Sequence, residues 1–131
     1  MRNIIAEVEV PGVIPLEEMA GKLGAIINGV FFEREETGYF EEVPAFVAKD
    51  VNSGMSFILF GIPEGEICDA YTLECSVETD LPIQEFRKKT LGLINRILID
   101  KEVNSRGYFD YSDELANALT RNGIMASKSS P

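Results

Sequence analysis

Carboxylates are the side chains in this sequence whose number and spacing could support chemistry. The chain has 22 Asp and Glu against 12 Lys and Arg, and it has no histidine. Paired carboxylates can act as general acid and general base, so this is the enzymatic chemistry that the composition allows. With 22 acids, however, many chance pairs are expected on any folded surface. We therefore expect solvated acids and not a carboxylate active site.

Other common catalytic groups have no recognisable pattern in the sequence. Without histidine, the usual general base near neutral pH and the commonest metal ligand are missing. Cys68 and Cys75 lack the two-residue gap of zinc knuckles and redox motifs, so we expect packed thiols. Gly61 and Gly65 are not followed by the Lys-Ser/Thr of a phosphate-binding loop. The sequence predicts no catalytic residue, no metal and no cofactor.

Acidic and aromatic side chains are concentrated in residues 33–42, where five Glu surround two aromatic residues. On a protein-binding surface, aromatic side chains fill pockets of the partner while carboxylates steer a basic partner into place. The alternative is a solvated hairpin with Phe40 packed in the core. We predict a partner-binding segment that consists of Glu33, Glu35, Glu36, Tyr39, Phe40, Glu41 and Glu42.

A second acidic group accompanies the strand predicted at residues 70–78. Asp69 and Asp80 lie beside that strand, and Glu74 and Glu78 share its outward face because side chains alternate along a strand. Like charges on one strand face cost stability unless a partner neutralises them. Asp69, Glu74 and Glu78 therefore join the predicted partner-binding set.

The net charge of −10 is unevenly distributed along the chain. Residues 1–86 carry 17 acids and 4 bases, whereas residues 87–131 carry 5 acids and 8 bases. The electrostatic field of this excess negative charge repels nucleic acid and anionic membranes and attracts basic proteins. We expect no direct nucleic-acid or membrane partner. The alternative is that the acid excess only keeps a small protein in solution.

The elements that position these residues follow from hydrophobic periodicity. Ala6, Val8 and Val10 alternate with Glu7 and Glu9, which is typical of a half-buried strand. Apolar residues at helical spacing predict helices elsewhere. The predicted order is β-α-β-β-β-β-α-α, with strand 3–10, helix 15–28, strands beginning at 30, 39, 55 and 71, helix 82–101 and helix 113–123, and a short extended piece at 108–109.

One domain fits 131 residues, and we assign it to residues 1–125 with a flexible tail at 126–131. Four consecutive strands joined by short turns must pair antiparallel. The sequence therefore predicts an α+β fold, an antiparallel sheet of four to five strands with helices packed on one face. No apolar run reaches the roughly 18 residues of a membrane span, and the start lacks a secretory signal, so we expect a cytoplasmic protein.

The run from Leu16 to Glu78, about half of the chain, resembles the small acidic immunity proteins of bacterial toxin–immunity systems, including contact-dependent growth inhibition and other polymorphic toxins. The resemblance implies a cytoplasmic, antitoxin-like inhibitor that binds a cognate toxin domain, often a basic nuclease. The segments that carry it are helix 15–28, the acidic hairpin with Val43-Pro44-Ala45-Phe46-Val47, strand 57–61 and strand 71–75.

Two alternatives to an immunity protein stay open from the sequence. Secretion chaperones are also small, acidic and α+β, although they usually begin with a helix and this chain begins with a predicted strand. A small enzyme or ligand-binding domain could place carboxylates in a cleft. A deep pocket with converging acids favours the enzyme, whereas a flat acidic face with exposed aromatic residues favours the immunity protein.

Overall fold

The computed structural model describes residues 1–27, 30–35, 43–63, 65–67 and 69–129. Within these ranges, no helix is long and apolar enough to cross a membrane. The elements of the described chain are β1 (Arg2–Pro11), α1 (Leu16–Ile26), β2 (Glu33–Arg34), β3 (Ala45–Lys49), β4 (Ser56–Phe60), β5 (Ala70–Thr79), α2 (Ile83–Arg87), α3 (Gly92–Ile97), β6 (Tyr108–Asp110), α4 (Ser112–Arg121) and β7 (Ser127–Lys128).

The described strands form one mixed sheet in the order β2-β3-β4-β5-β1-β6, with β7 also paired to β1. β2 to β5 pair antiparallel in succession, and β1 pairs antiparallel with β5. The α+β class is therefore confirmed. The predicted sheet of four to five antiparallel strands is wrong, because the sheet has seven strands among the described residues and β6 runs parallel to β1. β6 and β7 are too short for periodicity to reveal a sheet partner.

The predicted single helix over residues 82–101 is wrong, since this region contains the two short helices α2 and α3. The Thr90 hydroxyl and the Asn95 side-chain amide both donate to the Arg87 carbonyl, at 2.7 and 2.9 Å. Side chains that bond to the backbone in this way compete with helix continuation. Gly92 adopts a φ of 59°, a left-handed conformation that interrupts a helix and that glycine accepts readily. The observed element order therefore differs from the predicted β-α-β-β-β-β-α-α. The predicted helix 82–101 is two helices, and the strands β6 and β7 are additional.

The core lies between the sheet and the helices. Buried residues of all four described helices join alternate strand residues in one hydrophobic cluster. The intervening strand residues point to the other side of the sheet, as the twofold alternation of a strand requires. The fully buried members of the cluster include Ile4, Val8, Phe57, Leu59, Leu73, Leu23, Phe86, Leu93, Tyr111 and Leu115.

The free edge of β1 is closed by the C-terminal part of the chain. The Tyr111 N–H donates to the Ile5 carbonyl at 2.8 Å, and the Glu7 N–H donates to the Ser112 hydroxyl at 2.9 Å. The Ser129 N–H then donates to the Glu7 carbonyl at 3.2 Å. The segment predicted as a flexible tail thus contains β7 and this bond, while residues 130 and 131 lie outside the described chain.

A lysine ties the segment after α3 to the start of α4. The Lys101 ammonium donates to the Asp110 carbonyl at 2.6 Å and to the Glu114 carboxylate at 2.9 Å. The same ammonium lies 4.9 Å from the centre of the Tyr111 ring. The Tyr111 hydroxyl donates in turn to the Ile99 carbonyl at 2.7 Å. These bonds attach the segment at residues 99–101 to β6 and to the start of α4.

Candidate protein-interaction surface

The side of the sheet that points away from the described helices is the candidate surface, and we call it the open face. Its centre is a row of residues that are neighbours across five adjacent strands. Adjacent members of such a row lie about 5 Å apart, which is the spacing of strands in a sheet. This central row consists of Glu33, Val47, Ile58, Glu74 and Glu7, in spatial order.

Two carboxylates meet at one end of the central row. Glu7 of β1 is the direct antiparallel partner of Glu74 of β5. Burial raises the pKa of Glu74 above its ordinary value, and the charge of Glu7 raises it further. Like charges directly opposite each other destabilise a strand pair. The free protein therefore carries an unfavourable interaction at this position.

Three more acidic residues lie on the same face, within two rows of this pair. Glu9 is opposite Thr72, Glu78 is opposite Asn3, and Asp110 of β6 is opposite Ile5. The acids Glu7, Glu9, Glu74, Glu78 and Asp110 therefore share the outward face of β5, β1 and β6.

Asp110 differs from the Glu7–Glu74 pair in its surroundings. Burial disfavours its ionisation, but hydrogen bonds from the Ser112 hydroxyl and N–H, and the charges of Lys128 and Lys101, together hold the pKa of Asp110 below its ordinary value. The Ser112 N–H donates to this carboxylate at 2.9 Å. Asp110 is thus an ionised carboxylate with partners inside the chain, which leaves Glu7 and Glu74 as the strained part of the acidic region.

The other half of the open face is apolar at its centre, with Lys49 and Ser56 at one end. Val47 and Ile58 are partly exposed at the middle of the central row. With Phe31 they line a shallow cavity of about 480 Å³, which Glu33, Glu35 and other residues also border. Phe31 precedes β2, and 86% of its surface is exposed to solvent. An exposed phenylalanine beside apolar strand residues is the kind of anchor that protein interfaces use.

A second cleft, of about 390 Å³, is also lined by Phe31. Val51 in the turn after β3 and Leu91 between α2 and α3 line it and are themselves 92% and 62% exposed. Lys49 and Asp50 border the same cleft with opposite charges. The two charges that line this cleft cancel, whereas the cavity of the open face has Glu33 and Glu35 against Lys49 alone.

The structure brings together part of the predicted partner-binding set. Glu33, Glu74 and Glu78 lie on the open face, and Glu35 follows β2 with its N–H bonded to the Ala45 carbonyl at 2.9 Å. Asp69 is exposed before the start of β5, outside these rows. The predicted residues Glu36, Tyr39, Phe40, Glu41 and Glu42 lie outside the described chain.

Sequence reasoning missed the residues that complete the surface: Glu7, Glu9, Asp110, Phe31, Val47 and Ile58. The alternation in β1 already indicated that Glu7 and Glu9 face outward. The alternation could not indicate which strand lies beside β1 in the sheet. The pairing of β1 with β5 joins positions far apart in the sequence, and it creates the Glu7–Glu74 contact.

The described residues offer few groups for covalent or metal chemistry. Cys75 is buried, and burial followed by the charge of Glu74 raises the pKa of its thiol, which makes it a poor nucleophile. Within the described ranges, no group of three or more His, Cys, Asp or Glu side chains could hold a metal ion. Cys68 lies outside the described chain.

Comparison with known proteins identifies no relative. No protein-family model, curated protein or solved structure matches the chain. Function is therefore inferred from the residues of the open face and from their chemistry.

Proposed function

We propose that this chain is an acidic protein-binding module, an immunity protein that acts in the cytoplasm by binding and neutralising a cognate basic toxin domain. The observation that carries the proposal is the Glu7–Glu74 pair on the open face. Two carboxylates held opposite each other reduce the stability of the free chain. A cationic side chain of a partner would turn that cost into an attraction on binding.

The acidic half of the open face supports a charged macromolecular partner. Glu9 and Glu78 extend the Glu7–Glu74 pair into a mainly acidic region on β1 and β5, with Lys128 of β7 at its border. The field of such a region raises the association rate of a basic partner and rejects acidic ones. A toxin domain with a basic substrate-binding surface, such as that of a nuclease, has the complementary charge.

The apolar half of the open face supports stable binding. Charge pairs at an exposed rim contribute little affinity, whereas a buried apolar or aromatic anchor contributes much of it. Phe31, Val47 and Ile58 offer apolar area next to the acids. An interface that covers both halves would combine fast association with slow dissociation.

A small carboxylate-based enzyme or ligand-binding domain is the second candidate function. The specific observation in its favour is that Glu74 has a raised pKa beside Glu7, which is how paired catalytic carboxylates behave. The pair faces outward from a sheet, and Glu7 is exposed. This surrounding fits a protein surface better than a site that must exclude water around a small substrate.

Capture of the partner tests the proposed function. The chain, tagged at its C-terminus, is expressed in its native cell and purified at low salt, together with a variant that carries Glu7→Gln and Glu74→Gln. We expect a basic protein to co-purify with the unmodified chain, to inhibit growth when expressed alone, and to be neutralised by co-expression of the chain. Turnover of a small molecule by the isolated chain that is lost in the variant would instead establish the enzyme.

A further inference from the structure

We propose that the central row of the open face recognises a partner segment in which one apolar side chain lies between two cationic side chains. This inference rests on the proposed function, since it specifies the chemistry of the partner. It arises from the order of residues across the sheet, which runs from Glu33 through Val47 and Ile58 to Glu74. Acidic groups therefore bracket an apolar centre.

The width of the row sets the spacing of the partner's cations. Glu33 and Glu74 are three strand intervals apart, which corresponds to about 14 Å at the ordinary spacing of strands. An extended segment advances about 3.3 Å per residue, so side chains four residues apart are separated by about 13 Å. A segment of the form cation-x-apolar-x-cation, laid across the strands, matches both carboxylates and places its middle side chain over Val47 and Ile58.

The centre of the row selects an apolar side chain. Val47 and Ile58 present aliphatic surface, and Phe31 forms a wall of the same shallow cavity. A charged group placed there would lose water without gaining a hydrogen-bond partner from these side chains. Lys49 borders the cavity together with Glu33 and Glu35, and its charge offsets part of their attraction for a cation at this position. Cations are therefore favoured at the ends of the row and disfavoured at its middle.

The two ends of the row differ in strength. At one end Glu74 is accompanied by Glu7, so two carboxylates face a single partner cation. At the other end Glu33 lies at the edge strand and is exposed. An arginine suits the Glu7–Glu74 end, because its planar guanidinium can donate to two carboxylates at once.

A pair of synthetic peptides with the same composition tests the order of the row. The first contains Arg-Thr-Leu-Thr-Arg, and the second contains Leu-Thr-Arg-Thr-Arg, both capped at their ends. Each peptide is titrated into the full chain at low salt and followed by amide chemical shifts. We expect the first peptide to bind about fivefold more tightly or better, as the loss of one charge pair and one apolar contact implies. Its shift changes should centre on Val47, Ile58 and Glu74.

A matched pair of variants gives the control. Glu33→Gln with Glu74→Gln removes the two acidic ends of the row, and Glu18→Gln with Glu102→Gln removes the same charge from α1 and from the segment before β6. We expect the first variant to abolish the preference for the ordered peptide and the second to retain it. Equal affinity for both peptides, or shift changes centred on Val51 and Leu91, would overturn the inference.

The inference can fail without the proposed function failing. If a basic toxin domain is captured and its affinity is unchanged in the Glu33→Gln, Glu74→Gln variant, this row is not the recognition site while the chain remains a protein-binding module. If no protein partner is captured and a small molecule is turned over, the proposed function itself is lost.

Discussion

Glu7 of β1 and Glu74 of β5 lie directly opposite each other on the open face of the sheet. The next residue of the central row after Glu74 is Ile58 of β4, which is uncharged. Natural strands usually place opposite charges or neutral pairs at such positions, because like charges there are destabilising. The pair therefore connects the stability of the free chain with its capacity to bind a cation of a partner.

Replacing Glu74 with Gln should stabilise the free protein near neutral pH. The gain should be about 0.5–1 kcal/mol in the free energy of unfolding, the usual size of a cross-strand pair effect. Because the folded-state pKa of Glu74 is raised, the penalty is absent below the ordinary pKa of a glutamate and develops as the pH rises through the folded-state value.

Urea unfolding of the wild type and the Glu74→Gln variant near pH 7 and near pH 3.5 measures this effect. We expect the advantage of the variant to shrink toward zero at the lower pH. Glu18→Gln serves as the control for a charge change in the helix layer. A variant that is less stable than the wild type at both pH values would contradict the repulsion between Glu7 and Glu74.

Replacing Ser112 with Ala should destabilise the fold by about 1–3 kcal/mol, the usual cost of leaving a buried polar group unpaired. Ser112 is 3% exposed, and its hydroxyl accepts the Glu7 N–H and donates to the Asp110 carboxylate. Chemical denaturation measures the loss, and faster hydrogen exchange at the Glu7 amide locates it. Ser105→Ala, at an exposed loop position, should leave the free energy of unfolding and the exchange rate of the Glu7 amide unchanged. Equal values of these two quantities in the Ser112→Ala and Ser105→Ala variants would refute the role of Ser112.

Two lysines allow a matched comparison of ion pairs. Lys101 and Glu114 form a partly buried pair, with 26% and 24% of their side chains exposed, whereas Lys88 and Glu85 are 73% and 55% exposed. We expect Lys101→Met to cost about 1–3 kcal/mol, because it also removes a bond to the Asp110 carbonyl.

Lys88→Met should cost less than about 0.5 kcal/mol, as is usual for exposed pairs. Thermal unfolding of both variants in the same buffer makes the comparison. A larger loss for Lys88→Met than for Lys101→Met would contradict the assigned anchoring role of Lys101.

The Cys75 thiol should react only when the fold opens. It is 3% exposed, and burial together with Glu74 raises its pKa, so the nucleophilic thiolate is scarce at neutral pH. In a Cys68→Ser variant, a thiol-specific reagent should label Cys75 at the rate of unfolding and not in the native state. Fast labelling of the native variant would show that the core around β5 is accessible.

Local patterns in the sequence predicted several elements well. The alternation in β1 and in β5, and the helical spacing of Leu16, Met19 and Leu23, predicted β1, β5 and α1 because each pattern lies within one element. The class of the fold followed from the order of those elements. These features depend on residues that are close together in the sequence.

Features that depend on distant contacts could not be predicted. β6 and β7 contain three and two residues, and their place beside β1 is set by hydrogen bonds to a strand more than 100 residues earlier. The split between α2 and α3 depends on bonds from Thr90 and Asn95 to one carbonyl. Glu7 of the candidate surface could not be predicted for the same reason. Its pairing with Glu74 depends on the order of strands in the sheet and not on the local sequence.

The most direct test measures both consequences of the Glu7–Glu74 pair in one variant. The free energy of unfolding of the Glu7→Gln, Glu74→Gln protein and its dissociation constant for the captured basic domain are compared with those of the wild type and of the Glu18→Gln, Glu102→Gln control. We predict a more stable free protein that binds its partner about tenfold or more weakly, with the loss largest at low salt. Unchanged binding together with reduced stability would contradict the idea that these carboxylates are kept for a basic partner.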